Sequence, residues 1–197
     1  MRTGRLIWPL NSVNTSAMDQ AYGVRMDIAC IPLTGQVATD HLLNKVADRL
    51  ADDGCRLVGA LRVPVADAEM AHCDSTLRLL PDGMSIRISQ DLGAGSSACR
   101  LDAGALAEAA GVAETRLTEQ GADLVMLNKF GLSEAEGRGF RALISKAIES
   151  GIPVLIGLSD PHRAAFEDFT GAPANLLPAD EEHVLSWCRN AAGAGHR

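Results

Sequence analysis

The sequence predicts an α/β fold of three layers, with helices on both faces of a mainly parallel β-sheet. The first observation is an alternation along the chain, in which short apolar runs are followed by segments with apolar residues at helical spacing. Such alternation is typical of right-handed βαβ units, whose strands are parallel. The second is composition: 47% of the residues are hydrophobic but only 4% are aromatic. The core must therefore be built from Val, Leu, Ile and Ala, as in buried parallel strands.

The strands are predicted from apolar or alternating runs of strand length. These runs are residues 27–33, 55–63, 76–80, 84–91, 122–127 and 152–158. The third and fourth runs are joined by Pro81-Asp82-Gly83. Because Asp-Gly between β-prone runs favours a tight turn, these two strands are predicted to form a hairpin.

The helices are predicted from apolar residues at helical spacing and from capping residues. They are residues 40–53, a stretch after the N-cap Asp102, a stretch from the capping box Ser133–Glu136 to Gly151, and residues 162–169 and 181–192. Gly111 lies inside the second of these and weakens that helix by about 1 kcal/mol relative to Ala.

Composition also bounds the domains and partners. Residues 1–25 lack periodicity, so we expect a poorly ordered arm, and residues 26–197 are expected to form a single α/β domain. A net charge of −7 argues against nucleic acid or an anionic membrane as partner. No run approaches the ~20 apolar residues of a membrane helix. The five cysteines include no C-x-x-C pair, so neither a zinc knuckle nor a disulfide framework is predicted, and we expect a reduced, cytoplasmic protein. Met70, His72 and Cys73 could bind a soft metal, but no second His/Cys cluster completes such a site, so no metal site is predicted.

The first candidate site is the loop after the first strand, where a phosphate-binding P-loop would stand. A working loop reads G-x-x-x-x-G-K-[ST], whereas residues 34–40 read T-G-Q-V-A-T-D and lack the Lys and the second Gly. One interpretation is an eroded phosphate loop that uses Gly35, Gln36 and Thr39. The other is an ordinary turn in which Thr39 or Asp40 caps the helix.

The second candidate follows the 122–127 strand. Lys129, a helix start at Ser133 and Arg138 form a pattern that predicts an anion site. The polar and close-approach positions predicted in this stretch are Asn128 and Gly131. The alternative for Lys129 is a solvated charge at a strand end.

Two carboxylates in the same stretch are candidates for catalysis. Glu134 and Glu136 would activate water if the protein hydrolysed a nucleotide. Their alternative role is favourable charge in the first turn of a helix.

The third candidate is the Gly/Ser loop of residues 89–100. Successive Gly and Ser N–H groups can form an anion-binding nest, to which Arg100 would add charge. The predicted ligand-binding residues here are Gln90, Gly93, Gly95 and Arg100. The alternative is a flexible connection between the hairpin and the next helix.

Two segments carry a resemblance to a known family. They read S-Q-D-L-G-x-G-S-x-x-C-R-L-D over residues 89–102 and L-N-K-F-G-x-x-E-A-E-G-R-G-F-R over residues 127–141. They resemble the bacterial domain-of-unknown-function family 2478, which looks like a divergent relative of two groups. These are the cancer-related/thermophile nucleoside-triphosphatases and the accessory GTPases of molybdopterin guanine dinucleotide.

The resemblance implies a fold and a setting. It implies a P-loop α/β fold with a β-hairpin inserted after the second strand. Those relatives carry D-E-[IL]-G where Asn128-Lys129-Phe130-Gly131 stands here, and their Walker A Lys and Ser/Thr have no counterpart. A molybdenum-related setting is also implied by labels within the family.

The leading hypothesis is a P-loop-like protein with degenerate Walker motifs. It would bind a small anionic ligand, such as a nucleotide, phosphate or an oxyanion like molybdate, at the carboxyl edge of the sheet. A homodimer is compatible with this hypothesis. The alternatives are an unorthodox nucleoside triphosphatase and a non-catalytic accessory or interaction module linked to molybdenum metabolism.

Overall fold

Six strands form the main sheet of the protein. The structure is a computed structural model that describes residues 27–33, 35–64, 75–90 and 100–194. The strands of the main sheet are β1 (Ile28–Pro32), β2 (Leu57–Arg62), β3 (Thr76–Leu80), β4 (Ser85–Arg87), β7 (Leu124–Phe130) and β8 (Val154–Leu158). A separate two-stranded sheet consists of β5 (Ser89–Gln90) and β6 (Arg100–Leu101).

The sheet is parallel except at one edge. Its strand order is β1-β8-β7-β2-β3-β4. The first four strands pair in parallel, whereas β3 runs antiparallel to both β2 and β4. The predicted mainly parallel sheet with an inserted hairpin is therefore confirmed. Since β8 lies between β1 and β7, the loops that follow β1 and β7 are separated by one strand.

Helices cover both faces of this sheet. They are α1 (Gln36–Asp52), α2 (Ala103–Gln120), α3 (Leu132–Ala135), α4 (Arg141–Glu149), α5 (Arg163–Thr170) and α6 (Glu181–Ala194), with a 3-10 turn at Asp160–His162. Helices α1 and α6 pack on one face, and α2, α4 and α5 pack on the other. This is the predicted three-layer arrangement.

The core contains mainly aliphatic side chains, as the composition predicts. Every residue of β2 and of β8 is buried, which fits strands covered on both faces. Three buried phenylalanines, Phe130, Phe140 and Phe166, are the aromatic exceptions. Phe130 is at the end of β7, and its ring centroid lies 5.3 Å from that of Phe166 in an edge-to-face arrangement. Phe130 is 0% exposed, so it anchors the carboxyl end of β7 in the core.

Helix α1 begins four residues earlier than predicted. Gly35 is its N-cap, and Thr39 N–H already donates to Gly35 O at 3.0 Å. The expectation that Thr39 or Asp40 caps this helix is therefore wrong. Both side chains are 3% exposed and lie within the helix. As a result, the chain has only three positions, 33–35, between β1 and α1.

The predicted helix from Ser133 to Gly151 is two helices. A turn separates α3 from α4, with Gly137 and Gly139 at φ 86° and 58°. Left-handed residues of this kind interrupt a helix. The capping carboxylate is also different from the predicted one, because Gly131 is the N-cap and Glu134 accepts from its N–H.

Some expectations fall outside the described residues. The arm at residues 1–25 is one of them, and the single-domain boundary stays a prediction. In the described ranges, no helix combines the length and apolarity that crossing a bilayer requires.

Candidate functional site

The carboxyl end of β7 contains a β-bulge at the centre of the sheet edge. Leu127 is paired with Ile156 and Phe130 with Leu158, so β7 has one residue more than β8 in this interval. The extra residue lies in the Asn128-Lys129 pair. Bulges redirect side chains at strand ends and are frequent beside functional sites.

The bulge gives its two residues opposite environments. Asn128 is 8% exposed, and its Oδ1 accepts a hydrogen bond of 3.1 Å from the Arg62 backbone N–H. Lys129 is exposed. The bulge therefore places an amide inside the sheet edge and an ammonium group at its surface.

A buried ion pair lies beside Asn128. Arg62 Nη1 is 3.9 Å from Asp40 Oδ2, and the two side chains are 6% and 4% exposed. Burial raises the pKa of Asp40, while Arg62, the Asn128 amide and Lys129 act in the opposite direction. Asn44 ties this cluster together, because its Nδ2 donates to both Asp40 O and Arg62 O at 2.8 Å.

A cavity of about 280 Å³ opens next to this cluster. It lies between the carboxyl ends of β2 and β7 and the start of α2. Its polar walls are Arg62, Ser75, Ser89, Asn128, Lys129, Ser133 and Glu134, with Gly131 beside them. Its apolar walls are Ala60, Leu77, Ile88, Leu101, Leu106, Leu132 and Phe140. Cavities at this edge of an open α/β sheet are where such folds bind ligands.

The two predicted charge carriers differ in their surroundings. Lys129 lines the cavity, and in the described part of the chain it forms no ion pair. Arg138 is exposed and pairs with Glu136. Arg138 is also absent from the described cavity wall. The geometry thus leaves Lys129 as the accessible cation.

Glu134 is held by the backbone on both of its oxygens. Oε2 accepts from Gly131 N–H at 2.9 Å, and Oε1 accepts from Phe140 N–H at 3.1 Å. The side chain is 5% exposed. A Cβ at Gly139 would come within 2.2 Å of Oε1. This carboxylate therefore fixes the loop of residues 131–140, which forms one wall of the cavity.

Residues 28–187 match the family described as Protein of unknown function (DUF2478). The chain belongs to this family. The match covers every element described above from β1 to the first half of α6.

Two further proteins are similar to this DUF2478 chain. The Molybdenum import ATP-binding protein ModC 2 of Bradyrhizobium diazoefficiens is 34% identical over 165 residues, which is 84% of this chain and 18% of that protein. The chain therefore spans less than a fifth of this curated relative. The crystal structure of THEP1 from the hyperthermophile Aquifex aeolicus has a TM-score of 0.60 and 15% identity, covering 86% of this chain and 99% of that one. This structural likeness confirms the P-loop-like α/β fold.

The predicted site residues of the DUF2478 chain fall into three places. Asn128, Lys129 and Gly131 line the cavity. Gly35 and Thr39 lie at the start of α1 and are not part of the described wall. Outside the described residues lie Gly93, Gly95 and the side chains of Gln36 and Arg100.

Gln90 is near the cavity but is engaged elsewhere. Its Nε2 donates to Asp102 Oδ2 at 3.0 Å. Asp102 is itself the N-cap of α2, because Oδ1 accepts from Ala105 N–H at 3.0 Å. Gln90 thus connects β5 to the predicted and confirmed cap of α2.

The sequence interpretation missed Arg62. It stands at the end of the apolar run L-V-G-A-L, as Asn128 and Lys129 stand at the end of theirs. The signal was therefore a charged residue closing a buried strand. Because the sequence predicts a second strand that continues to Val63, Arg62 is an interior residue of that predicted strand, whereas β2 ends at Arg62.

Proposed function

We propose that this protein binds a small anionic ligand in the cavity between the carboxyl ends of β2 and β7. Lys129 carries this proposal, since it is an exposed ammonium group on the cavity wall without an ion-pair partner among the described residues. A charge-assisted hydrogen bond from Lys129 would hold the anion.

The surroundings of Lys129 support an anion rather than a cation. Arg62 also lines this part of the wall, with its charge offset by Asp40 at 3.9 Å, and the two Glu134 oxygens are both held by backbone N–H groups. Described residues offer no cluster of three or more His, Cys, Asp or Glu side chains that would hold a metal ion. The ligand would thus meet the Lys129 ammonium group, a hydrogen-bond donor, at the carboxyl end of β7.

Molybdenum handling is the setting that we propose for this binding. The support is the name of the relative, a molybdenum import ATP-binding protein, which is 34% identical in the aligned segment. Because the shared segment is 18% of that relative, the chain would act as an accessory ligand-binding unit in such a system.

Calorimetric titration of the full chain tests the proposal. The panel is inorganic phosphate, molybdate, ATP, GTP and 2-naphthoate. At least one anion is expected to bind, and Lys129→Gln is expected to weaken that binding about 10- to 100-fold, the effect of losing one hydrogen bond to a charged group.

Lys45→Gln is the matched control. Lys45 is 66% exposed on α1 and pairs with Glu181, so removing its charge costs little stability and should leave the affinity unchanged. The proposal is overturned if no anion of the panel binds, or if Lys129→Gln binds as tightly as the Lys45→Gln variant.

A further inference from the structure

We propose that the ligand of this cavity is an organic anion with a compact apolar body, rather than an inorganic oxyanion or a whole nucleoside triphosphate. This inference rests on the proposed function and narrows its ligand class. It is carried by the apolar walls, by two exposed leucines beside the cavity and by the volume.

Seven of the side chains that line the cavity are hydrocarbon. Leu77, Ile88, Leu106 and Phe140 line the cavity, and each is at most 9% exposed. A phosphate or molybdate ion would lose hydration beside these side chains and gain no hydrogen bond from them, which is unfavourable. A ring or branched hydrocarbon would instead be stabilised by the same contact.

The apolar surface continues outside the buried wall. Leu101 is 49% exposed and Leu132 is 63% exposed, and both line this cavity. Among the described residues, the large hydrophobic side chains that are exposed are these two and Met84. A single exposed leucine needs no explanation. Two on the same cavity, continuous with its apolar wall, form a surface that an apolar ligand would cover.

The volume limits the size of that ligand. The cavity measures about 280 Å³. Sites for drug-sized ligands start at about 300 Å³. The space therefore fits one ring or two fused rings with an acidic group. The acidic group would lie at Lys129 and Asn128, and the ring would lie against Leu106 and Phe140.

Four probes separate charge from apolar contact. They are 2-naphthoate, the neutral 2-naphthamide, acetate and inorganic phosphate, each titrated into the full chain by calorimetry. We expect 2-naphthoate to bind at least about tenfold more tightly than acetate or phosphate, because the ring buries apolar surface. Lys129→Gln should weaken naphthoate about tenfold and leave naphthamide unchanged, since only naphthoate carries charge.

Leu132→Ser tests the apolar rim without disturbing the core. It should weaken naphthoate and naphthamide about three- to tenfold and leave phosphate binding unchanged. Met84→Ser is the matched control, because Met84 is 44% exposed and lies in the β3–β4 turn, at the opposite edge of the sheet. It should bind both probes as the unmodified protein does.

The outcomes distinguish this inference from the proposed function. If phosphate or molybdate binds with Lys129 dependence and naphthoate binds no better than acetate, the anion site stands and the organic ligand is wrong. If naphthoate binds equally to the Leu132→Ser and Met84→Ser variants, the naphthoate does not lie against the rim of this cavity and the inference is overturned. If no probe binds and the wider panel also fails, the proposed function and this inference fall together.

Discussion

Asn128 Oδ1 accepts a hydrogen bond of 3.1 Å from the backbone N–H of Arg62, and this bond joins β7 to β2 beyond their last paired residues. The regular pairing of the two strands ends at Ala60 and Leu127. At the next residue of β7, the Asn128 side chain takes the place of a backbone carbonyl as the acceptor, because the bulge has displaced the chain of β7. The bond thus keeps the sheet edge closed while Lys129 is turned to the surface.

Asn128→Ala should destabilise the protein by about 1–3 kcal/mol. The substitution removes the acceptor of a buried backbone N–H, and an unsatisfied buried donor carries a penalty of this size. The free energy of unfolding in urea measures it. Gln90→Ala is the comparison, since Gln90 is exposed and its loss should change stability by less than about 0.5 kcal/mol. Equal effects of the two substitutions would contradict the role given to Asn128.

The buried Asp40 should give stability a distinct pH dependence. Burial raises the pKa of Asp40 from its ordinary value of 3.8, against the lowering effects of Arg62, Asn128, Lys129 and His41. The folded protein then holds the Asp40 proton more tightly than the unfolded chain does. The stability from this group is present below pH 3.8 and is lost as pH rises through the folded pKa.

Comparison with Asp40→Asn isolates this dependence. The free energy of unfolding of the unmodified protein minus that of Asp40→Asn should fall as pH is raised above 3.8. Urea unfolding at each pH measures it. A difference that stays constant, or that grows with pH, would show that Asp40 is not the buried, proton-retaining group described here.

Glu134 is expected to act on stability through its two backbone hydrogen bonds. In Glu134→Gln, an amide NH₂ would face a backbone N–H of either Gly131 or Phe140, and one buried hydrogen bond would be lost. We expect a loss of about 1–3 kcal/mol in the free energy of unfolding.

Glu136→Gln is the matched control for that substitution. Its side chain is 47% exposed and pairs with Arg138 at the surface, so the loss should be under about 1 kcal/mol. If Glu134→Gln were as stable as Glu136→Gln while any phosphate release from ATP disappeared, Glu134 would instead be a hydrolytic residue.

The elements of the fold could be predicted because their signals are local. β8 and the first part of β7 are apolar runs. Asp102 caps α2 through a hydrogen bond within the first turn of that helix. The start of α1 could not be predicted in the same way. Thr39 and Asp40 look like capping residues, yet both are buried within α1, and Asp40 lies beside Arg62 of β2. Tertiary burial of these polar residues overrode their local preference.

The site was predictable at its polar end and not at its apolar end. Asn128 and Lys129 directly follow a buried strand, so their position at the sheet edge follows from the strand itself. The apolar wall joins Leu77, Leu101 and Leu106, which come from β3, β6 and α2. These leucines resemble core residues in the sequence. Only the packing of the hairpin and α2 around the edge shows that they enclose a cavity.

Replacement by alanine should change the free energy of unfolding in opposite directions at two glycines, because one lies against the bulge and the other faces open space. A Cβ at Gly157 on β8 would lie 2.2 Å from Asn128 O and 2.9 Å from Leu33 Cδ2. The Asn128 carbonyl belongs to the backbone and cannot rotate away, so β7 must move. Gly157→Ala should therefore destabilise the protein by about 1–3 kcal/mol and weaken any Lys129-dependent anion binding.

Gly111 lies inside α2, and a Cβ there would meet nothing within 4 Å. Gly111→Ala should raise the free energy of unfolding by about 0.5–1 kcal/mol, because alanine loses less backbone entropy in a helix. Urea unfolding of both variants, with anion titration of each, gives the measurement. If Gly157→Ala were as stable as Gly111→Ala and bound the anion unchanged, β7 and β8 would not approach each other as closely as the bulge at Asn128 requires.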